Sequence, residues 1–232
     1  MKRLILFDID GTLLWTRGAA KNAFQRAMVE VYGTAGPIAT HSFAGKTDPQ
    51  IARELLRLSG FEDDRIDAGL DRLWSGYLRE LREEFRLPGR ATTVLPGVRP
   101  LLDELGRRAD TFLLGLLTGN IEEGASLKLR SAALDCAFRL GAYGSDRERR
   151  EDLPEIAVER ALSLTGVRFR GREIVIIGDT PADMTCGAAL DAFAFGVATG
   201  YFDEVSLRAA GAHFTVPDLG NTQEVLDVLL PG

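Results

Sequence analysis

Four consecutive apolar residues, Leu4 to Phe7, run straight into Asp8-Ile9-Asp10-Gly11-Thr12. A short unbroken apolar run ending in turn chemistry is the pattern of a strand buried on both faces, as in a parallel sheet. In open α/β sheets the working groups lie just past the carboxyl ends of such strands. Asp8 and Asp10 are alternate residues, so in extended chain both carboxylates leave the same side. Two like charges held that close repel unless a cation or a proton lies between them. Asp-Gly is also ordinary turn chemistry, so the opening acquires meaning only from the rest of the chain.

The same pattern recurs twice. The stretch 111–117 is apolar after Thr111 apart from Gly115 and ends at Thr118-Gly119-Asn120, and 173–177, apolar after Glu173, ends at Gly178-Asp179-Thr180-Pro181-Ala182-Asp183. Further strands are expected at 192–197 and 214–216. Helical patterns over 98–108, 121–133, 153–164, from 181 to about 190, from 203 and from 222 alternate with them. The stretch through Cys136, Gly141 and Gly144 reads as irregular, and the charged run 146–152 as exposed loop. This alternation predicts an α/β fold, a Rossmann-like parallel sheet with right-handed crossovers.

Between the first two strands lies a block without strands. A helix over 19–31 is closed by Gly33, and a second is capped by Thr47 or Asp48, with Pro49 in its first turn, and runs to Gly60. A third, over about 65–87, carries Ile66, Leu70, Leu73, Trp74, Tyr77, Leu81 and Phe85 on one stripe. The block reads as a separate helical domain inserted over residues 15–90, with the sheet-bearing core formed by 1–14 and 91–232. Trp74 and Tyr77 are expected in the inserted domain's own core, and Met28 and Met184 in packing.

At 232 residues the chain can bury one good core with a smaller satellite. Its net charge of -6 argues against a nucleic-acid or anionic-membrane surface, so any anion site must build its own local field. No apolar run has the length of a membrane span. The run after Lys2-Arg3 is too short for a signal peptide, and a cytoplasmic location is expected. Cys136 and Cys186 lack a metal-ligand pattern, which fits a reducing compartment. His41 and His213 show no partner pattern, and His213 is assigned no function.

Three strands ending in polar clusters bring Asp8, Asp10, Thr118, Asp179 and Asp183 to one crevice if the strands are neighbours. Several carboxylates in one place call for a hard cation with oxygen ligands, ordinarily Mg²⁺. A phosphoryl group fits beside it, held by the cation, a hydroxyl and backbone N–H groups.

Asp8-x-Asp10-Gly11-Thr12, Thr118 with Gly119-Asn120, and Gly178-Asp179-x-x-x-Asp183 resemble the first, second and fourth motifs of the haloacid dehalogenase superfamily. The likeness is to its phosphoglycolate phosphatase and β-phosphoglucomutase branch, and the helical block lies where that family carries its cap. The resemblance implies that Asp8 attacks phosphorus and becomes an aspartyl phosphate, while Asp10 protonates the leaving oxygen and then activates water. It implies Mg²⁺ held by Asp8, the backbone carbonyl of Asp10 and Asp179, with Asp183 ligating or bracing through water, and Thr118 donating to a phosphoryl oxygen. Gly11, Thr12, Gly119 and Asn120 are then the expected substrate contacts.

The family's third motif, a cation that is usually Lys, has no lysine here; its place holds Arg149-Arg150-Glu151-Asp152. Arg150 is the first choice, Arg149 the second, and Lys128, on the helix after Asn120, the rival. Lys46, in Gly45-Lys46-Thr47-Asp48, is either a specificity residue reaching the substrate or only part of a capped helix start. The expected activity is a Mg²⁺-dependent phosphatase on a small phosphorylated metabolite. A phosphomutase on a sugar phosphate and a non-catalytic binding protein on the same fold are alternatives. Phosphonate hydrolysis would need Lys46 as a Schiff base, and dehalogenation would leave Asp10 without a task. Whether the chain is a monomer or a homodimer is not legible.

Overall fold

The computed structural model describes residues 2–88 and 92–230. Along the chain, β1 (Arg3–Phe7) is followed by a two-residue strand, β2 (Leu14–Trp15). Then come the helices α1 (Ala19–Tyr32), α2 (Asp48–Arg57), α3 (Asp63–Asp67) and α4 (Leu70–Arg86), and a second short strand, β3 (Thr93–Val94). The rest alternates as α5 (Val98–Arg107), β4 (Phe112–Thr118), α6 (Glu122–Ser131), β5 (Leu140–Tyr143), α7 (Leu153–Thr165), β6 (Ile174–Gly178) and α8 (Pro181–Cys186). It closes with β7 (Phe193–Val197), α9 (Glu204–Ala209), β8 (Phe214–Val216) and α10 (Thr222–Leu229).

Six strands form one parallel sheet in the order β5-β4-β1-β6-β7-β8. The chain leaves β1 to one side for β4 and to the other for β6, the reversal at which open α/β sheets bind ligands. Alternate side chains of β1 serve opposite faces. Ile5 and Phe7 enter an apolar cluster with Leu101, Leu105 and Leu226, while Leu4 and Leu6 enter another with Leu153, Ala157 and Phe169. Burial on both faces explains why the central strands read as continuous apolar runs.

The four helices between β2 and β3 pack on an apolar cluster of their own, including Phe24, Met28, Leu55, Leu73 and Tyr77, joined by Ile121 from the start of α6. The Tyr32 hydroxyl donates to Ile66 O at 2.7 Å and ties α1 to α3. β2 and β3 pair antiparallel, Leu14 with Val94 and Trp15 with Thr93, so the chain enters and leaves the helical block side by side. The expected second division between the units, at 90/91, lies outside the described residues. No described helix is long and apolar enough to cross a membrane.

Four elements differ from expectation. Residues 140–143 are a strand, not irregular chain; Gly141 breaks the apolar run, and the strand exists through its pairing with β4. The helix expected over 65–87 is two, α3 and α4, parted at Gly69, where a Cβ would meet the Tyr32 hydroxyl and ring at 2.5–2.7 Å. The helix after Asp179 stops at Cys186, and a 3₁₀ turn covers Ala188–Leu190. The charged run 146–152 is not simply exposed loop: Arg150–Asp152 is a 3₁₀ turn, and Arg150 is buried.

Candidate active site

The register of β1 sets the geometry. Phe7 pairs with Leu116 on one side and Ile177 on the other, and Asp8 N–H still donates to Ile177 O at 2.9 Å. The first residue past β1 is thus held between the ends of β4 and β6, where Thr118 and Asp179 emerge. Asp8, Asp179 and Asp183 each bring a carboxylate oxygen within 4.8 Å of the others, and all three are buried.

Arg150 enters this cluster from the turn before α7. Its Nη2 donates to Asp8 Oδ1 at 3.0 Å, to Asp183 Oδ1 and to Leu117 O at 3.3 Å. Burial works against the guanidinium's charge, but Asp183 and Asp8 together hold it firmly protonated. Asp183 spends its other oxygen on Thr180, accepting from the N–H at 3.0 Å and the hydroxyl at 2.6 Å, as the capping box of α8. Asp179 accepts from the Thr12 hydroxyl at 3.2 Å. Its carboxylate fills the space a side chain would need at Gly11 (φ 88°) and Gly200, where a Cβ would meet Asp179 Oδ2 at 2.4 and 1.7 Å.

Three carboxylates face one guanidinium, and the imbalance shows in their proton affinities. Burial pushes Asp8 up to about 7 against the pull of Arg150, with Asp183 and Asp10 adding to the rise. Burial, then the Asp8 and Asp183 charges, hold Asp179 well above the usual carboxylate range. The set is all oxygen, with no thiolate or imidazole among the three, which suits a hard divalent cation.

Asp10 belongs to a second group. Its Oδ2 accepts from Lys128 Nζ at 2.6 Å and from Asn120 Nδ2 at 2.8 Å. Asn120 Nδ2 also donates to Thr118 Oγ1 at 2.7 Å, and its Oδ1 accepts from Lys128. Both groups open into a cavity of about 690 Å³ between sheet and helical block, also lined by Trp15, Phe24, Lys46, Tyr77 and Tyr201. Another cavity of about 620 Å³, beside β5 and α7, contains none of these carboxylates.

The start of α2 joins the helical block to the sheet. Thr47 caps α2 by accepting from Gln50 N–H, while its hydroxyl donates to Glu148 O at 2.6 Å. Asp48 N–H donates to Gly119 O at 2.7 Å, and its carboxylate accepts from Ile121 N–H at 2.9 Å. Burial raises the Asp48 carboxyl to about 6, against the pull of Lys128. Lys46 meets Glu54 Oε2 at 2.5 Å and His41 Nε2 at 3.3 Å.

Of the residues singled out by sequence, Asp8, Asp10, Thr118, Asn120, Arg150, Asp179 and Lys46 all line the cavity, with Gly119. Thr12 reaches it only through Asp179. Gly119 is where the helical block touches the sheet: a Cβ there would lie 2.0 Å from Lys46 O. Arg149 stays outside, paired with Glu151. Tyr77 packs in the helical core as expected but also faces the cavity. Lys128 reaches Asp10 and Arg150 reaches Asp8, so the two candidate cations serve different aspartates. Sequence reasoning missed Gly200, Asp48 and the His41–Glu54–Lys46 contact. Only Asp48 carried a signal, in Gly-Lys-Thr-Asp, and that signal reads equally as a helix start.

The haloacid dehalogenase-like hydrolase family model matches residues 5–197. No curated protein matches the chain. Among solved structures, a hydrolase from Pseudomonas syringae is similar over 100% of both chains at 21% identity, TM-score 0.72. A predicted phosphoglycolate phosphatase from Haemophilus somnus is similar over 97% of this chain and 98% of its own, at 15% identity and TM-score 0.70. A provisionally assigned β-phosphoglucomutase from Thermotoga maritima is similar over 99% and 100%, at 20% identity and TM-score 0.63. At these identities the likeness is one of fold.

Proposed function

Because the chain belongs to the haloacid dehalogenase-like hydrolase family, we propose that it is a Mg²⁺-dependent phosphatase of a small phosphorylated metabolite, working through an aspartyl phosphate on Asp8. The observation that carries this is the cluster of Asp8, Asp179 and Asp183 around Arg150, at the ends of neighbouring strands and beside Asp10.

Asp8 and Asp179, with the backbone carbonyl of Asp10, would hold Mg²⁺, and Asp183, both of whose oxygens are already bonded, braces from behind. When bound, the cation supplies positive charge to the nucleophile and the phosphoryl oxygens. Arg150 fixes the plane of the Asp8 carboxylate through Oδ1 and balances charge as the carboxylate attacks phosphorus. As the ester bond breaks, Asp10 gives its proton to the leaving oxygen. It then takes a proton from the water that attacks phosphorus, freeing phosphate and restoring Asp8. Thr118 donates to a phosphoryl oxygen, and Gly11, with no side chain, leaves room for the Asp179 carboxylate.

Residues 15–90 act as the cap over the substrate, excluding water during the reaction. The cavity is larger than a phosphoryl group needs. Phe24, Tyr77, His41 and Lys46, on the cap side, face the rest of the substrate. Mutase chemistry uses the same aspartates and returns the phosphoryl group to the substrate. Release of inorganic phosphate rather than an isomer decides for hydrolysis.

The test is phosphate release from an aryl phosphate by wild type and Asp8→Asn, with Mg²⁺ and with excess chelator. The wild type should need the metal, and the variant should fall below about a tenth of its rate. Full activity in chelator, or in the variant, defeats the proposal.

A further inference from the structure

The site carries two buried cations, and the proposed mechanism uses only one. Lys128 is 3% exposed. A buried ammonium is tolerated only where it is paired and fully bonded, and its partners here are Asp10 and Asn120, not Asp8. Asn120 completes a closed set: its Nδ2 serves Asp10 Oδ2 and Thr118 Oγ1, and its Oδ1 accepts from Lys128. This network fixes the orientation of the amide, since the flipped form would set its NH₂ against the ammonium. Both donors to Asp10 fall on Oδ2, and no donor among the described residues bonds Oδ1.

We propose that Lys128 is a positioning residue for proton transfer by Asp10. With Asn120 it locks Oδ2, so that Oδ1 is the oxygen that works, and its ammonium balances the charge Asp10 carries between the two half-reactions. In the first, the proton on Oδ1 passes to the leaving alkoxide as its bond to phosphorus breaks and the Asp8–phosphorus bond forms. In the second, Oδ1 takes a proton from water as the water oxygen bonds phosphorus and the Asp8–phosphorus bond breaks. The tie from Asn120 to Thr118 keeps this alignment in register with the phosphoryl group. The assignment rests on the roles proposed for Asp8 and Asp10.

A merely structural lysine and a positioning one differ in how their loss depends on the leaving group. Phenyl phosphate and p-nitrophenyl phosphate are nearly the same shape, but phenoxide needs a proton on departure far more than nitrophenoxide does. Lys128→Met should lower kcat/KM for phenyl phosphate by about 10², the scale of general acid catalysis, and leave p-nitrophenyl phosphate within about threefold. In an Asp10→Asn background the same change should cost neither ester more than about threefold, because the residue it acts through is already gone. Lys128→Gln, read the same way, replaces the methionine variant if that one does not fold.

Equal losses on the two esters, or an undiminished loss in the Asp10→Asn background, would overturn the assignment. Phosphate release that survives Asp8→Asn would instead overturn the mechanism beneath it.

Discussion

Arg150→Ala removes the only cation bonded to Asp8 among the described residues. Arg150 is 5% exposed, and alanine would leave Asp8 and Asp183 buried without it, with Asp179 still beside them. Stripping one partner from a buried ion pair costs about 3–5 kcal/mol. The metal-free protein can reduce that cost by taking up protons. Burial already holds Asp8 protonated up to about 7 against the pull of Arg150, so loss of Arg150 raises it further. A carboxyl group whose folded pKa lies above its unfolded value destabilises the fold as pH rises through that interval.

The wild type without metal should therefore lose stability from about pH 4 to about pH 7, and the variant's loss should continue above that range. Urea unfolding in chelator should show a small difference between the two at about pH 5.5 and one approaching the full cost at about pH 8.5. With Mg²⁺, turnover of an aryl phosphate should fall by about 10² or more. Arg150→Lys should recover only part of this, because a compact, strongly hydrated ammonium replaces the guanidinium whose Nη2 bonds both Asp8 and Asp183. A variant that unfolds at the wild-type urea concentration at high pH and turns over within about threefold of wild type would refute the reasoning. On p-nitrophenyl phosphate, where Lys128 should matter little, Lys128→Ala as the crippling change with Arg150→Ala nearly silent would refute it as well.

Asp179→Asn should raise the Mg²⁺ concentration needed for half activity and shrink the rise in melting temperature that Mg²⁺ gives the wild type, both followed by titration. An unchanged metal requirement would remove Asp179 from the metal site. Asp48→Asn keeps an oxygen for Ile121 N–H but removes a carboxyl raised to about 6. Relative to wild type it should gain nothing near pH 4 and about 2 kcal/mol by about pH 8, the shift discounted for partial exposure. A difference independent of pH would show that Asp48 is not held above its ordinary value.

The carboxyl ends of β1, β4 and β6 were legible because strands buried on both faces write themselves as apolar runs, and their register brings Asp8, Thr118 and Asp179 together. β5 was not legible, since residues 140–143 become a strand only by pairing with β4. The break between α3 and α4 was hidden because the apolar stripe runs across Gly69, and only the Tyr32 ring packed against that glycine shows why chain without a side chain is needed there. Among the cations, the sequence located the loop but not the partners. Arg149 and Arg150 are adjacent, and only the 3₁₀ turn sends Arg150 inward while Arg149 stays with Glu151. Lys128 lay beyond local reasoning because its partner, Asp10, stands 118 positions away. His41 reaches Glu54 only because the loop between α1 and α2 folds back on α2.

The central claim is that Asp8 carries the phosphoryl group. Rapid acid quench during turnover of an aryl phosphate, followed by intact-protein and peptide mass measurement, tests it directly. The expected result is a protein species heavier by one phosphoryl group, removed by hydroxylamine, mapped to the peptide containing Asp8 and missing from Asp8→Asn. Steady turnover with no such species at any quench time, or a phosphoryl group found on another residue, would contradict it.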